Sequence, residues 1–276
     1  MKNFIIFLIF INNLFSLEKY KEENILSIWN VEEKKLKLVE HRKLKGLEQL
    51  NNLKFHDELW KIISEFYPED VINRIDKFVV FSDNNKNNRN GMSGLIESVD
   101  GTNNSRFILS VDIADAYYGN KISLEVFLNL LVHEFFHLVS LNDTQISPNY
   151  TKGVKIYEGY TYESSYINKF YEKFWNNSLG KKLEMLELNS KLSFAQKETI
   201  REEIYRYNQD KFIDTYAMTN MVEDIAVSFE DFIRLNKGYL GDSLKDKKID
   251  FFYSYADLVK YKNHFIQKKK EMIRKY

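Results

Sequence analysis

The stretch LVHEFFHLVS, residues 131–140, sets two histidines four positions apart inside an apolar run, with a glutamate directly after the first. On an α-helix His133 and His137 lie one turn apart on one side, so both rings can reach a single ion at roughly 2.0 to 2.1 Å. Glu134 then sits about 100° round from His133, where it can approach a metal-held water without being a ligand. The geometry works on a helix and on nothing else, so the pattern commits this segment to one. Leu124, Phe127, Leu128, Leu131, Phe135, Leu138 and Val139 follow the i, i+3, i+4, i+7 rule, and Ser123 can cap the start, which predicts a helix over 124–140. That apolar stripe exists without the histidines, so a buried amphipathic helix carrying two imidazoles is the competing reading.

The rest of the chain is large enough to build a core round such a helix. It has 276 residues, 44% apolar and 15% aromatic, enough for one domain or a domain with an attached subdomain. Lys+Arg and Asp+Glu both number 40, so the basic surplus of a nucleic-acid binder is missing. Phe4 to about Leu17 is apolar apart from Asn12 and Asn13, follows one lysine and precedes charge. It is short for a membrane span and reads as a signal peptide or N-terminal anchor over residues 1–17, predicting an exported protein. There are no cysteines, so the fold must hold by packing, with or without a metal, and not by disulfides.

Past that run, residues 18–75 read as a mainly helical N-terminal region. Leu26, Ile28 and Trp29, and later Leu59, Trp60, Ile62, Ile63 and Phe66, recur at helical spacing, and Pro68 stops the second run. KFVVFSD (77–83) reads as a strand, NNKNNRNG (84–91) as an Asn-rich turn, and MSGLIESVDGTNNSRFILSVDIAD as two extended segments around a GTNN turn. Helices are expected at 124–140, 160–176, about 180–208, 221–235 and 252–274. A mixed small sheet followed by helices makes the fold α+β, with residues 76–276 as the unit that carries the site.

Two histidines leave a catalytic metal site one protein ligand short. His41, His56 and His264 have no comparable company and read as surface or half-buried residues. In FIDTYAMTNMVEDIAVSFEDF (212–232), Thr219 and Asn220 are natural N-caps, and Val222, Ile225, Ala226, Phe229 and Ile233 make an amphipathic helix with Glu223 in its first turn. Asn220-x-x-Glu223 also fits a capping box, and a first-turn acid is stabilised by the helix dipole in any case. Glu158, Glu163, Asp224 and Glu230 compete for the third position.

HEFFH followed about 80 to 90 residues later by Tyr-Ala-x-Thr-Asn-x-x-Glu-Asp resembles the gluzincin type of zinc metallopeptidase, in particular bacterial secreted zinc peptidases with a catalytic core like that of anthrax lethal factor. The resemblance covers roughly residues 106–235. It implies a zincin-like fold over 76–276, one zinc ion held by His133, His137 and Glu223, Glu134 as general base, and Tyr216 assisting the carbonyl oxygen. Several gluzincins carry a further acid four residues after the ligand glutamate, where this chain has Val227; support for the histidines must then come from elsewhere, Asp224 or a backbone carbonyl being candidates. The substrate implied is a peptide or protein; RFILSVDI (106–113) is either the edge strand on which an extended peptide could align or an ordinary strand of the sheet, with nothing in the sequence to choose between them.

Two other classes compete. One is a secreted zinc-containing binding or adhesion protein that keeps the fold without turnover. The other is a helical interaction protein, suggested by the stripe Tyr162, Tyr166, Ile167, Phe170, Tyr171 and Phe174, although that spacing equally suits core packing. The basic C-terminus QKKKEMIRKY could touch an anionic membrane, but a solvated helix end is the favoured reading.

Overall fold

The computed structural model describes residues 22–83, 93–99, 101, 104–118 and 121–276. The apolar run at 1–17 and the Asn-rich turn at 84–91 lie outside the described residues. Among the described residues no helix is long and apolar enough to cross a membrane.

The N-terminal region corrects the expectation of a mainly helical segment over 18–75. Its first half is an antiparallel hairpin of β1 (Ile25–Glu32) and β2 (Lys35–His41). The two-residue loop is Glu33-Lys34, with φ of 49° and 63°. Both residues are left-handed, as a hairpin turn matched to strand twist requires, yet neither is the Asn or Gly that usually announces one. The helix-like spacing has its own cause. Pairing of β1 with β3 shifts register between Ile25 and Ser27, which leaves Leu26 as the extra residue of a bulge in β1, and such a bulge brings residues three apart to one face. Leu26 and Trp29 therefore both enter the core, at 0% and 7% exposure. The later half of the region is helical as expected. In α1 (Leu53–Phe66) Asn52 caps the start by accepting from the Lys54 N–H, and Tyr67, extended before Pro68, closes the end.

After the single-turn helix α2 (Glu69–Ile72) come β3 (Ile75–Phe81), β4 (Gly94–Ser98) and β5 (Phe107–Asp112). The five strands form one mixed sheet in the order β2-β1-β3-β5-β4, with only β3 and β5 parallel. Because β1 pairs with β3, the ladder crosses the boundary expected near residue 75. Of the two readings of RFILSVDI, the ordinary sheet strand is the one observed. RFILSVDI forms β5, which lies inside the sheet, and the edge on that side is β4.

The short helix α3 (Ile113–Ala116) and the ribbon β6 (Tyr117–Tyr118) and β7 (Lys121–Ile122) lead into α4 (Leu124–Ser140), which spans the predicted range. From Leu131 to Ser140 every residue is buried, so this half of α4 is embedded rather than one-sided. Phe135 and Phe136 anchor it against the later helices, with ring centroids 4.7 Å from Phe265 and 4.5 Å from Phe229.

A three-stranded sheet follows in the order β8-β10-β9, made of β8 (Ile146–Ser147), β9 (Lys155–Ile156) and β10 (Gly159–Thr161). The helix expected at 160–176 is thus shortened to α5 (Tyr166–Phe170), running into a wide π turn at Tyr171–Trp175. Its aromatic stripe is core for the most part, since Tyr166, Ile167, Phe170 and Phe174 are buried while Tyr162 is exposed. The span 180–208 divides into α6 (Ser178–Glu187) and α7 (Phe194–Tyr205), the second opened by a capping box of Ser193 and Gln196. Then come α8 (Met221–Arg234), close to the predicted 221–235, α9 (Leu244–Phe251) and α10 (Ala256–Lys275). The architecture is α+β, and α4 lies where sheet, α8 and α10 meet.

Candidate metal centre

Three buried side chains from two helices converge at one point. His133 and His137 come from α4, at 7% exposure each, and Glu223 from the first turn of α8, at 4%. Their ligand atoms lie within 4.8 Å of one another, and this group could hold a metal ion. His133 Nε2 is 3.0 Å from Glu223 Oε2 and 3.0 Å from His137 Nε2, and His137 Nε2 is 3.4 Å from Glu223 Oε2. Bonds of roughly 2.0 to 2.1 Å at tetrahedral angles put neighbouring ligand atoms about 3.3 Å apart. The triangle therefore has the size of one face of a tetrahedral site. Two imidazole nitrogens and a carboxylate oxygen aimed at one another need a positive charge between them, and a single proton can join only two of the three.

The competition over Glu223 resolves in geometry. Asn220 caps α8, its Oδ1 accepting from the Val222 N–H at 2.8 Å and the Glu223 N–H at 3.0 Å. The Glu223 carboxylate does not complete a capping box but reaches the two imidazoles. Cap and ligand are thus compatible, and the cap sets the backbone from which Glu223 extends. Burial alone would raise the Glu223 pKa, but the two imidazoles hold it far below the usual carboxylate range.

The other acids sort by position. Glu230 Oε1 accepts from His133 Nδ1 at 2.7 Å, which places that ring's proton on Nδ1 and turns the Nε2 lone pair toward the centre. Burial opposes positive charge on His133, yet Glu223 and Glu230 together raise its pKa well above the ordinary value, so the surroundings favour a positive charge at Nε2, whether a proton or a cation held there. Glu230 thus fills the supporting role left open by Val227, from two turns along α8 rather than one. Asp224 faces away and is fully buried, accepting from Lys248 Nζ at 2.5 Å and from Trp175 Nε1 at 2.6 Å. Glu163 is exposed. Glu158 lies on the β9–β10 turn, where burial raises its pKa against its own backbone N–H and the charge of His137.

Glu134 is 3% exposed, and its Oε2 has no hydrogen-bond partner. Burial raises its pKa against the opposing pull of His133 and His137. Its other oxygen lies against β4, where a Cβ on Gly94 would stand 2.6 Å from Oε1. Gly94 therefore makes room for the carboxylate, a requirement the sequence carries no sign of, because it depends on where the sheet edge meets α4. Tyr216 lies in a 3-10 turn (Tyr216–Met218) just before α8, its ring centroid 5.9 Å from that of His133. The residue as a whole is 43% exposed, but its hydroxyl is desolvated. Burial first, then the Glu223 and Glu134 charges, raise its pKa well above the ordinary value, so it stays protonated.

The remaining histidines are occupied elsewhere. His56 bonds Ser27 Oγ and the Leu50 carbonyl, His41 the Asn51 carbonyl, and His264 the Phe66 carbonyl. Comparison of the chain with protein-family models, curated proteins and solved structures finds no match.

Proposed function

We propose that this protein is a zinc-dependent peptidase of the gluzincin kind, hydrolysing peptide bonds with Glu134 as general base. The observation that carries the reading is the combination of a tetrahedral-sized His133–His137–Glu223 triangle with a neighbouring carboxylate, Glu134, that keeps one buried oxygen unpartnered. A site that only stabilised the fold would close its coordination and pair its buried polar atoms. This favours turnover over a binding protein with an inert zinc.

Zinc is the metal that suits two imidazoles and one carboxylate, and when bound it supplies Lewis acidity and brings the pKa of water toward neutrality. His133 and His137 would hold it through Nε2, with Glu230 fixing the tautomer of His133. Glu134 takes the proton of the attacking water and returns it to the leaving amine, its burial making it a stronger base than an exposed glutamate. Tyr216 remains a donor and supports the oxygen of the scissile carbonyl as charge develops there. Among the described residues β4 pairs with β5 alone, so its outer edge is the surface on which an extended peptide would add as a further strand beside Glu134. The N-terminal apolar run supports an exported location for this activity.

The test is digestion of a peptide library by protein of measured metal content, with and without chelator. Hydrolysis should follow zinc content, and Glu134→Gln should retain zinc while turnover falls on the order of 10²- to 10⁴-fold. Zinc-loaded protein that cleaves nothing, or an unimpaired Glu134→Gln variant, would refute the proposal.

A further inference from the structure

Gly94 opens β4, and its backbone does not ask for a glycine. Its φ lies outside the left-handed region, unlike those of Gly46, Gly101 and Gly159. Pairing of β4 with β5 runs without a register shift, so no bulge explains it either. An alanine would ordinarily serve a strand better, since glycine has more freedom to lose on folding and no side chain to pack. A glycine at such a place marks a close approach. What approaches is Glu134. A Cβ on Gly94 would stand 2.6 Å from Glu134 Oε1, 2.9 Å from its Cδ and 3.0 Å from its Cγ. The three nearest atoms all belong to that one side chain, and none of them to His133, His137 or Glu223.

Neither backbone is free to withdraw from such a clash. On the strand side, the Ser93 carbonyl accepts from the Asp112 N–H at 2.9 Å, Ser93 Oγ donates to Asp115 Oδ2 at 2.6 Å, and Leu95 pairs with Ser110. Asp112 is itself fixed, its carboxylate accepting from the Asp83 N–H at 2.9 Å and the Ala114 N–H at 2.7 Å. On the helix side, every residue of α4 from Leu131 to Ser140 is buried. The Glu134 side chain is what remains to move. Displacing its Cγ and Cδ would carry Oε2 away with them, because that oxygen has no hydrogen-bond partner to hold it. We propose that Gly94 is a positioning residue: the missing side chain at this point of β4 fixes where the Glu134 carboxylate lies beside the metal centre. The inference rests on the peptidase reading for its effect on turnover but not for the contact itself. Metal binding and placement of the base are then separable, the first belonging to α4 and α8 and the second to α4 and β4.

The experiment is a double-substitution cycle on the full chain, with Gly94→Ala alone, Glu134→Asp alone and the two together. Glu134→Asp shortens the side chain by one methylene and draws the carboxylate back from β4. Gly94→Ala should keep one zinc and leave KM little changed while kcat falls on the order of 100-fold, as expected for about 1 Å of misplacement. Added to Glu134→Asp, the same substitution should lower kcat by less than about 3-fold further, because the clash is relieved. A glycine needed only by the strand would lose the same factor in both backgrounds. That outcome, an unchanged kcat, or a Gly94→Ala chain that loses its zinc or its fold would overturn the proposal. Thermal unfolding of the metal-free protein tests the contact without any substrate. Gly94→Ala should lower Tm by about 2 to 8 °C when Glu134 is present and have little effect in Glu134→Ala, where the space is vacated. Equal shifts would overturn the contact. Unequal shifts in a protein that cleaves no peptide would sink the hydrolysis and keep Gly94 as the residue that places Glu134, whereas hydrolysis with equal shifts would sink this inference alone.

Discussion

Two buried histidine environments in this molecule are built on opposite plans. His56, on α1, is fully enclosed and complete: Ser27 Oγ lies 2.7 Å from Nδ1, the Leu50 carbonyl 2.7 Å from Nε2, and Trp29 Nε1 donates to the same Ser27 oxygen at 2.7 Å. His133 and His137, on α4, share one carboxylate between them, crowd their Nε2 atoms to 3.0 Å, and leave His137 Nδ1 and Glu134 Oε2 without partners. Polar groups that satisfy one another hold a fold together; polar groups left incomplete in a core are waiting for something else. The first cluster ties β1 to α1, and the second is a group that could hold a metal ion.

If that contrast is real, substitutions should act on metal in one region and on stability in the other. The largest effect is expected at Glu223. Glu223→Ala removes a ligand, so zinc stoichiometry should drop from one toward zero, measured by elemental analysis after dialysis. Were Glu223 only a helix cap, about 1 kcal/mol of stability would be lost and zinc would stay. Next comes Glu230→Gln, which weakens the hydrogen bond that orients His133. Zinc affinity should fall about 10- to 100-fold with the fold intact, as read by competition with a chromogenic chelator. An unchanged affinity would remove Glu230 from the centre.

The effect expected at His56 is smaller and of the other kind. His56→Ala should cost about 1 to 3 kcal/mol, because it strands the Ser27 hydroxyl and the Leu50 carbonyl, and should leave zinc binding unaltered. Burial lowers the His56 pKa from 6.5 to about 4. The unfolded chain therefore takes up a proton near 6.5, and the folded chain only near 4. Between those values the unfolded state binds more protons, so the stability His56 contributes is full above 6.5 and lost as the pH falls toward 4. Proton NMR should find the His56 ring neutral at pH 5. The pH slope of stability in that window should shrink in His56→Gln, and a ring that titrates near 6.5 would break the comparison from its closed side.

The same contrast explains how much the sequence discloses. His133, Glu134 and His137 are legible because one helix carries all three and the helical period converts spacing directly into geometry. The helical span of α8 is legible too, but Glu223 as ligand or cap depends on where α8 lies against α4, which no local pattern encodes. Glu230 carried a usable signal, since seven residues is two turns and puts it on the same face as Glu223. Gly94 carries none, for it is defined by a strand brought in from a distant part of the chain. The β1–β2 hairpin is not legible because its turn is Glu-Lys rather than Asn-Gly and the bulge at Leu26, against β3, mimics a three-residue repeat. Whether RFILSVDI is edge or inner strand stays open in the sequence for the related reason that strand order is a tertiary property.

The central claim is that His133, His137 and Glu223 surround one divalent ion and leave room beside it. X-ray absorption at the zinc edge of the loaded protein measures this most directly. The account predicts one zinc per chain with two imidazole nitrogens and at least two oxygens at roughly 2.0 to 2.1 Å, and loss of the metal in His133→Ala. A chain that takes up no zinc, or one whose zinc survives His133→Ala with its coordination unchanged, would contradict it.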